Sequence, residues 1–261
     1  MNPPLFERHG GSLPIVISFP HSGTYVPEPL RARLTPAALE LPDTDWFVPQ
    51  LYSECLGRLG VSTLIATHSR YVVDLNRAAD GSALYPGRIE SAVCPSETFS
   101  GSAIYRAGQG LSASEIAPRI ERYWRPYHEA LAELRDAALA RHKHCLIWDA
   151  HSIRSLAPRL FDGTLPQLNL GTWDGRSASA EFVARVVGLL EAQQHFSHVV
   201  NGRFKGGYIT RHYGAPAQHV HAMQLEIAQR AYMSEATAPQ FDPAVAAPLS
   251  AQLVQIIAAL L

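Results

Sequence analysis

The sequence predicts an α/β fold, because short apolar runs rich in β-branched residues are separated by longer stretches of helical spacing. With 261 residues, 47% of them hydrophobic and 17% charged, the chain can bury a sizeable core, and we read it as one α/β unit rather than two small domains. Six runs read as strands, at 13–19, 62–67, 145–149, 168–172, 198–200 and 221–227. Apolar residues at Ile116, Ile120, Tyr123, Tyr127, Leu131 and Leu134 recur in steps of three or four, which predicts a helix over 116–138 kinked at Pro126. Two further amphipathic helices are expected over 178–190 and 245–260. Asp242 followed by Pro243 supplies a start signal for the last, while Pro248 interrupts its first turns. Residues 78–110 hold too much Gly, Ser and Pro for a regular element and read as a long loop, the kind that is usually functional or mobile.

Charge and cysteine content narrow the partners. Lys plus Arg (22) nearly balances Asp plus Glu (23), so no broad positive field exists for a nucleic acid or an anionic membrane, and charge must act locally. Cys55, Cys94 and Cys145 are odd in number, far apart and outside any C-x-x-C pair, which argues against a disulfide framework and fits a reducing cytoplasm. The first 11 residues lack an apolar signal core, and no segment approaches a membrane span of about 18 apolar residues.

Two histidines stand where a strand is expected to end. The run 13–19 leads into Pro20-His21-Ser22-Gly23, and the run 145–149 into Ala150-His151-Ser152. Strand ends are where sites form in open α/β sheets, and two such imidazoles can converge on one ion or each merely brace a loop. A catalytic zinc site takes about three protein ligands and an open position, so two histidines call for a carboxylate. Asp43 and Asp45, just ahead of the helical spacing of Trp46, Leu51, Tyr52 and Leu56, are candidates for that role or for a helix cap.

Glu226 lies within Met223-Gln224-Leu225-Glu226-Ile227, otherwise a buried strand; such a carboxylate needs an ion-pair partner or carries a raised pKa suited to a general base. Ser69-Arg70 through Asn76-Arg77 offers two guanidinium groups and a carboxamide in close succession, which suits an anionic ligand. Arg211 follows Gly206-Gly207, where the backbone can pass close to a ligand. Each arginine could equally be solvated on the surface.

Taken together, these segments resemble the N-formylglutamate amidohydrolase family, in its histidine-degradation deformylase branch. The resemblance is carried by Phe19-Pro20-His21-Ser22-Gly23, Asp43-Thr44-Asp45-Trp46, Ser69-Arg70 through Asn76-Arg77, Asp149-Ala150-His151-Ser152-Ile153-Arg154-Ser155, the block from Asn201 to Arg211, and Gln224-Leu225-Glu226. The glycine-bearing block Asn201-Gly202-Arg203-Phe204-Lys205-Gly206-Gly207-Tyr208-Ile209-Thr210-Arg211 is the most specific.

The resemblance implies a single amidohydrolase domain over 1–261, with a mixed β-sheet flanked by helices like that of the zinc carboxypeptidases and aspartoacylases. It also implies one Zn2+ ion on His21, Asp45 and His151. The His-x-x-Glu motif of those relatives is absent here, since Thr24 stands third after His21, so the carboxylate role passes to Asp45, with Asp43 as the fallback. Glu226 is then expected as general base and Arg70 as oxyanion donor, with Asn76, Arg77 and Arg211 holding the two carboxylates of a small dianionic N-acyl amino acid. Hydrolysis of N-formyl-L-glutamate is the implied activity. The competing expectations are another N-acyl amino acid, such as an N-formyl- or N-acetylaspartate-like substrate, or a carboxylate-binding protein without turnover.

Overall fold

The computed structural model describes residues 2–236 and 239–261. Its main sheet has seven strands: β1 (Phe6–His9), β2 (Ile15–Phe19), β3 (Ser62–Ala66), β4 (Cys145–Ile153), β5 (Leu168–Gly171), β6 (His198–Val200) and β7 (Val220–Ala228). They lie in the order β1-β3-β2-β4-β7-β5-β6. β1 runs antiparallel to β3 and β5 antiparallel to β7, while the other neighbours are parallel. The sheet is therefore mixed, as the resemblance implies.

Both faces of the sheet are covered, which is why its central strands are apolar on successive residues rather than on alternate ones. Ile15, Ile17 and Phe19 of β2, Leu146 and Trp148 of β4, and Met223, Leu225 and Ile227 of β7 pack in one cluster, with the helices Val48–Leu51, Ser53–Arg58, Ala180–Ala192 and Pro243–Ala258 against them. Val16, Leu64, Cys145, Ile147 and Ala222 face the other way, onto Leu131, Leu134 and Ala138 of the helix Arg125–His142. Among the described residues, no helix is long and apolar enough to cross a membrane. All three cysteines are free and buried.

All six expected strands are present. The expectation that β4 ends at Asp149 is corrected: the strand runs on to Ile153, so His151 lies within it and not beyond its end. Just ahead of Pro126, where a kink is expected, the helix is irregular. The helix Ala113–Arg119 passes through a π turn at Ile120–Trp124 before Arg125–His142 begins, and the widened turn makes room where Pro126 has no N–H to donate and its ring would crowd the carbonyl one turn back. Asp242 caps Pro243–Ala258 by accepting from the Ala244 and Val245 amides, and Pro248 stays inside that helix. Residues 78–110 contain no helix or extended strand.

Candidate active site

The period-two alternation of a strand builds this site. Along β4, Cys145 and Ile147 enter the core beneath the helix Arg125–His142, and the next two residues on that face are Asp149 and His151. On β7 the same face runs Ala222, Gln224, Glu226, and the register pairs Asp149 with Gln224 and His151 with Glu226. His21 follows the end of β2. Three neighbouring parallel strands thus deliver their polar residues to one edge of the sheet, where a cavity is lined by His21, Asp45, Arg70, His151, Gln224 and Glu226 among others.

His21, Asp45 and His151 converge, with one ligand atom from each lying within 4.8 Å of the others. Asp45 is brought in by its backbone, because its N–H donates to the His21 carbonyl at 3.0 Å. It does not cap the following helix; the cap position belongs to Phe47, in the left-handed region at φ 59°, and carries no side-chain hydrogen bond. Asp43 is elsewhere. Its Oδ2 accepts from the Tyr71 hydroxyl at 2.7 Å and the Phe99 amide at 2.9 Å, so it serves as a buried anchor for the long loop and makes no part of this trio.

Each imidazole presents Nδ1 to Asp45 and is held from behind at Nε2. Asp45 Oδ2 lies 2.9 Å from His151 Nδ1 and 3.9 Å from His21 Nδ1. Asp74 lies 2.7 Å from His21 Nε2, and Asp149 lies 2.9 Å from His151 Nε2. A carboxylate behind each ring keeps the proton on Nε2 and frees the Nδ1 lone pair, which is how a metal-binding histidine is oriented. The donor set of two imidazoles and one carboxylate fits zinc. Burial opposes charge on both rings, but the outcomes differ. In His21, burial and the nearby Arg70 outweigh the carboxylates and lower the pKa. In His151, Asp149 and Asp45 prevail over burial and raise it well above the ordinary histidine value.

Arg70 is buried between carboxylates, with Nη2 2.6 Å from Asp74 and Nη1 4.0 Å from Asp45, and its guanidinium lies 4.6 Å from the Phe99 ring centre. Burial alone would raise the Asp74 pKa; Arg70 and His21 instead hold it well below the usual carboxylate range. Glu226 has no such cation bonded to it. Gln224 donates to its Oε2 at 3.3 Å, and burial pushes its pKa well above the ordinary glutamate value, against the attraction of His151.

The expected anion contacts divide. Arg77 lines the cavity, fixed by hydrogen bonds from its side chain to the Ser91 and Asn76 carbonyls. Asn76 also lines it, but its carboxamide is engaged: it donates to Asp149 at 2.8 Å and accepts from the Ile209 amide at 2.7 Å. Gly207 makes that contact possible, since a Cβ there would stand 2.4 Å from Asn76 Nδ2. The expectation that Arg211 reaches a ligand is corrected. It is not part of the cavity wall; it donates to the Gly206 and Leu84 carbonyls and packs over the Tyr85 ring at 4.7 Å. Another arginine of the same block, Arg203, lines the cavity instead.

Asp74, Asp149, Gln224 and Arg203 are residues for which the sequence suggested no role. Asp74 and Asp149 each lie two residues from a singled-out residue, Asn76 and His151. The signal for them was therefore a carboxylate in an apolar run near a candidate histidine or asparagine.

The chain is similar to known proteins over most of its length. The family model described as N-formylglutamate amidohydrolase matches residues 13–233. An N-formylglutamate deformylase of Pseudomonas putida is 44% identical over 253 residues, covering 97% of this chain and 94% of that relative. One from Pseudomonas aeruginosa is 48% identical over 230 residues, covering 88% and 85%. The crystal structure of an N-formylglutamate amidohydrolase from Ralstonia eutropha JMP134 superposes with a TM-score of 0.81 at 26% identity, covering 97% of this chain and 96% of that one. On the extent of these matches, the chain belongs to the N-formylglutamate amidohydrolase family.

Proposed function

We propose that this chain is a zinc-dependent deformylase, a single amidohydrolase domain that hydrolyses N-formyl-L-glutamate to formate and L-glutamate in histidine degradation. The observation that carries the reading is the meeting of His21, Asp45 and His151 with Glu226 in one cavity, in a chain 44% and 48% identical to two N-formylglutamate deformylases. The free, buried cysteines suit a reducing compartment such as the cytoplasm.

His21 Nδ1, Asp45 and His151 Nδ1 would hold the ion, and Asp74 and Asp149 would keep both rings in the ligating tautomer. Zn2+ bound there supplies Lewis acidity, polarising the formyl carbonyl and lowering the pKa of water. Glu226 takes a proton from the attacking water as its oxygen bonds to the formyl carbon, and returns that proton to the nitrogen as the C–N bond breaks. Its raised pKa suits both halves of that shuttle, because the group accepts and releases a proton near neutrality. Arg70, whose orientation is fixed by Asp74, places a permanent positive charge where the oxyanion develops. Arg77 takes one carboxylate of the glutamate portion through charge-assisted hydrogen bonds. Asn76, whose amide nitrogen lies 2.8 Å from both Asp149 Oδ2 and His151 Nε2, would brace these groups beside that carboxylate. A carboxylate-binding protein without turnover would have no use for Glu226.

The test is formate or acetate release from a matched panel of N-formyl-L-glutamate, N-formyl-L-aspartate and N-acetyl-L-aspartate, before and after chelation. Fastest release from N-formyl-L-glutamate, lost on chelation and restored by Zn2+, is the expected result. Faster hydrolysis of an aspartate compound would change the substrate, and release indifferent to chelation would remove the metal.

A further inference from the structure

Arg203 is built into the cavity wall but has a free end. Its Nε donates to the Leu160 carbonyl at 2.6 Å and its Nη2 to the Ile89 carbonyl at 3.2 Å, while its guanidinium lies against the Tyr85 and Phe204 rings. Those contacts fix the plane of the fork, yet Nη1 is buried with no hydrogen-bond partner. A buried donor left unpaired is costly, so the guanidinium gains if it shifts to bring Nη1 onto an anion in the cavity.

Arg77 and Arg203 line the same cavity, and every hydrogen bond from either side chain goes to a backbone carbonyl and none to a carboxylate. Burial, together with the like charges of Arg88 and Arg77, lowers the Arg203 pKa without bringing a guanidinium near neutrality. Besides Arg70, which is paired with Asp74, the cavity therefore holds two guanidinium groups that no carboxylate hydrogen-bonds. Glu90, an acid on the same wall, accepts from the Leu84 amide at 3.2 Å and offsets part of the Arg203 charge without hydrogen-bonding to it.

The two arginines enter the cavity wall from different segments of the chain. Arg77 follows Asn76, whose carboxamide touches Asp149 and lies beside the histidine trio. Arg203 also borders an open surface depression that it shares with Arg88, Ile89, Leu160 and Arg159, and Arg77 borders another, shared with Asp80, Glu90 and Ser91. In N-formylglutamate the α-carboxylate is on the carbon bonded to the scissile nitrogen and the γ-carboxylate is at the far end of the side chain. We propose that Arg203 is the specificity-determining residue that reads the γ-carboxylate, with Arg77, next to Asn76 at the histidine trio, holding the α-carboxylate. This rests on the N-formylglutamate reading above. The loop position is set by its neighbours: Asn201, at φ 51°, accepts the Thr172 amide at 2.8 Å, and the Lys205 amide donates to the Tyr85 hydroxyl at 3.0 Å.

The experiment compares N-formyl-L-glutamate with N-formyl-L-glutamine, which has the same length and an uncharged end, in the parent, Arg203→Met and Arg203→Lys enzymes. Arg203→Met should lower kcat/KM on the glutamate compound by roughly ten- to a hundredfold, mainly through KM, and change the glutamine compound by less than about threefold. Arg203→Lys should fall between, since a point charge remains without the fork. Calorimetry gives a second readout: the parent's preference for L-glutamate over L-glutamine should disappear in Arg203→Met. Equal losses on both substrates would make Arg203 a strut between the Ile89 and Leu160 loops and overturn the proposal, as would no change on either. If Arg203→Met does not fold, an undiminished preference for the glutamate compound in Arg203→Lys overturns it. A parent enzyme inactive on both compounds would overturn the functional reading itself, and this inference with it, whereas an active parent with an unchanged preference in the variants overturns this inference alone.

Discussion

The two ends of one sheet face differ in what they contribute. At the lower end, Cys145, Ile147 and Ala222 are sealed under the helix Arg125–His142, where each buried apolar group adds to stability. Two and four residues further along, Asp149, His151, Gln224 and Glu226 occupy equivalent positions and are also buried, but as polar groups that must find partners. The same alternation positions both sets. Stability thus comes from the lower end, and the upper end uses that rigidity to hold carboxylates and imidazoles at distances they would not keep in water.

Substitutions at the two ends should therefore separate cleanly. The larger effect is expected at the upper end: Asp149→Asn loosens the hold on His151 Nε2, and zinc affinity, measured by competition with a chromogenic chelator, should fall about ten- to a hundredfold with the fold retained. Unchanged affinity would show that Asp149 does not orient the ring. The smaller effect is at the lower end, where Ile147→Val removes one methyl from the same strand and face. It should lower stability by about 0.5 to 1.5 kcal/mol in denaturant titration and leave zinc affinity as in the parent. A shift in zinc affinity there would mean that the two ends are coupled through the strand.

The lower end was the more legible in sequence. Apolar, β-branched runs such as Ile15-Val16-Ile17 reveal a buried strand by composition alone, whereas β1, whose residues Phe6 to His9 are mostly exposed on the sheet edge, has no such signal. At the upper end the sequence indicated which residues were unusual but not how they pair. His21, Asp45, Arg70, His151 and Glu226 reach one cavity, yet the carboxylates behind the rings escaped notice because an Asp in an apolar run does not show which histidine it will meet. Arg211 and Arg203 were indistinguishable for a different reason. Which one faces the cavity depends on the path of the loop through Gly206, at φ 112°, and residue spacing does not encode that path.

Hydrolysis depends on Glu226 moving the proton, and Glu226→Gln tests this with little change of shape. Its stability behaviour has a definite sign. Because burial raises the native pKa of Glu226, the folded protein binds more protons than the unfolded chain between the ordinary glutamate value and the raised one, so this group lowers stability as pH rises through that window. In zinc-free protein, the melting temperature of Glu226→Gln should exceed that of the parent by a margin that widens across the window and levels off above it. The decisive measurement is formate release from N-formyl-L-glutamate at matched zinc content. A loss of about a hundred- to ten-thousandfold in turnover is expected from a protein that is folded and fully loaded. A zinc-loaded Glu226→Gln enzyme that releases formate at the parent rate would contradict it and assign the proton to another group.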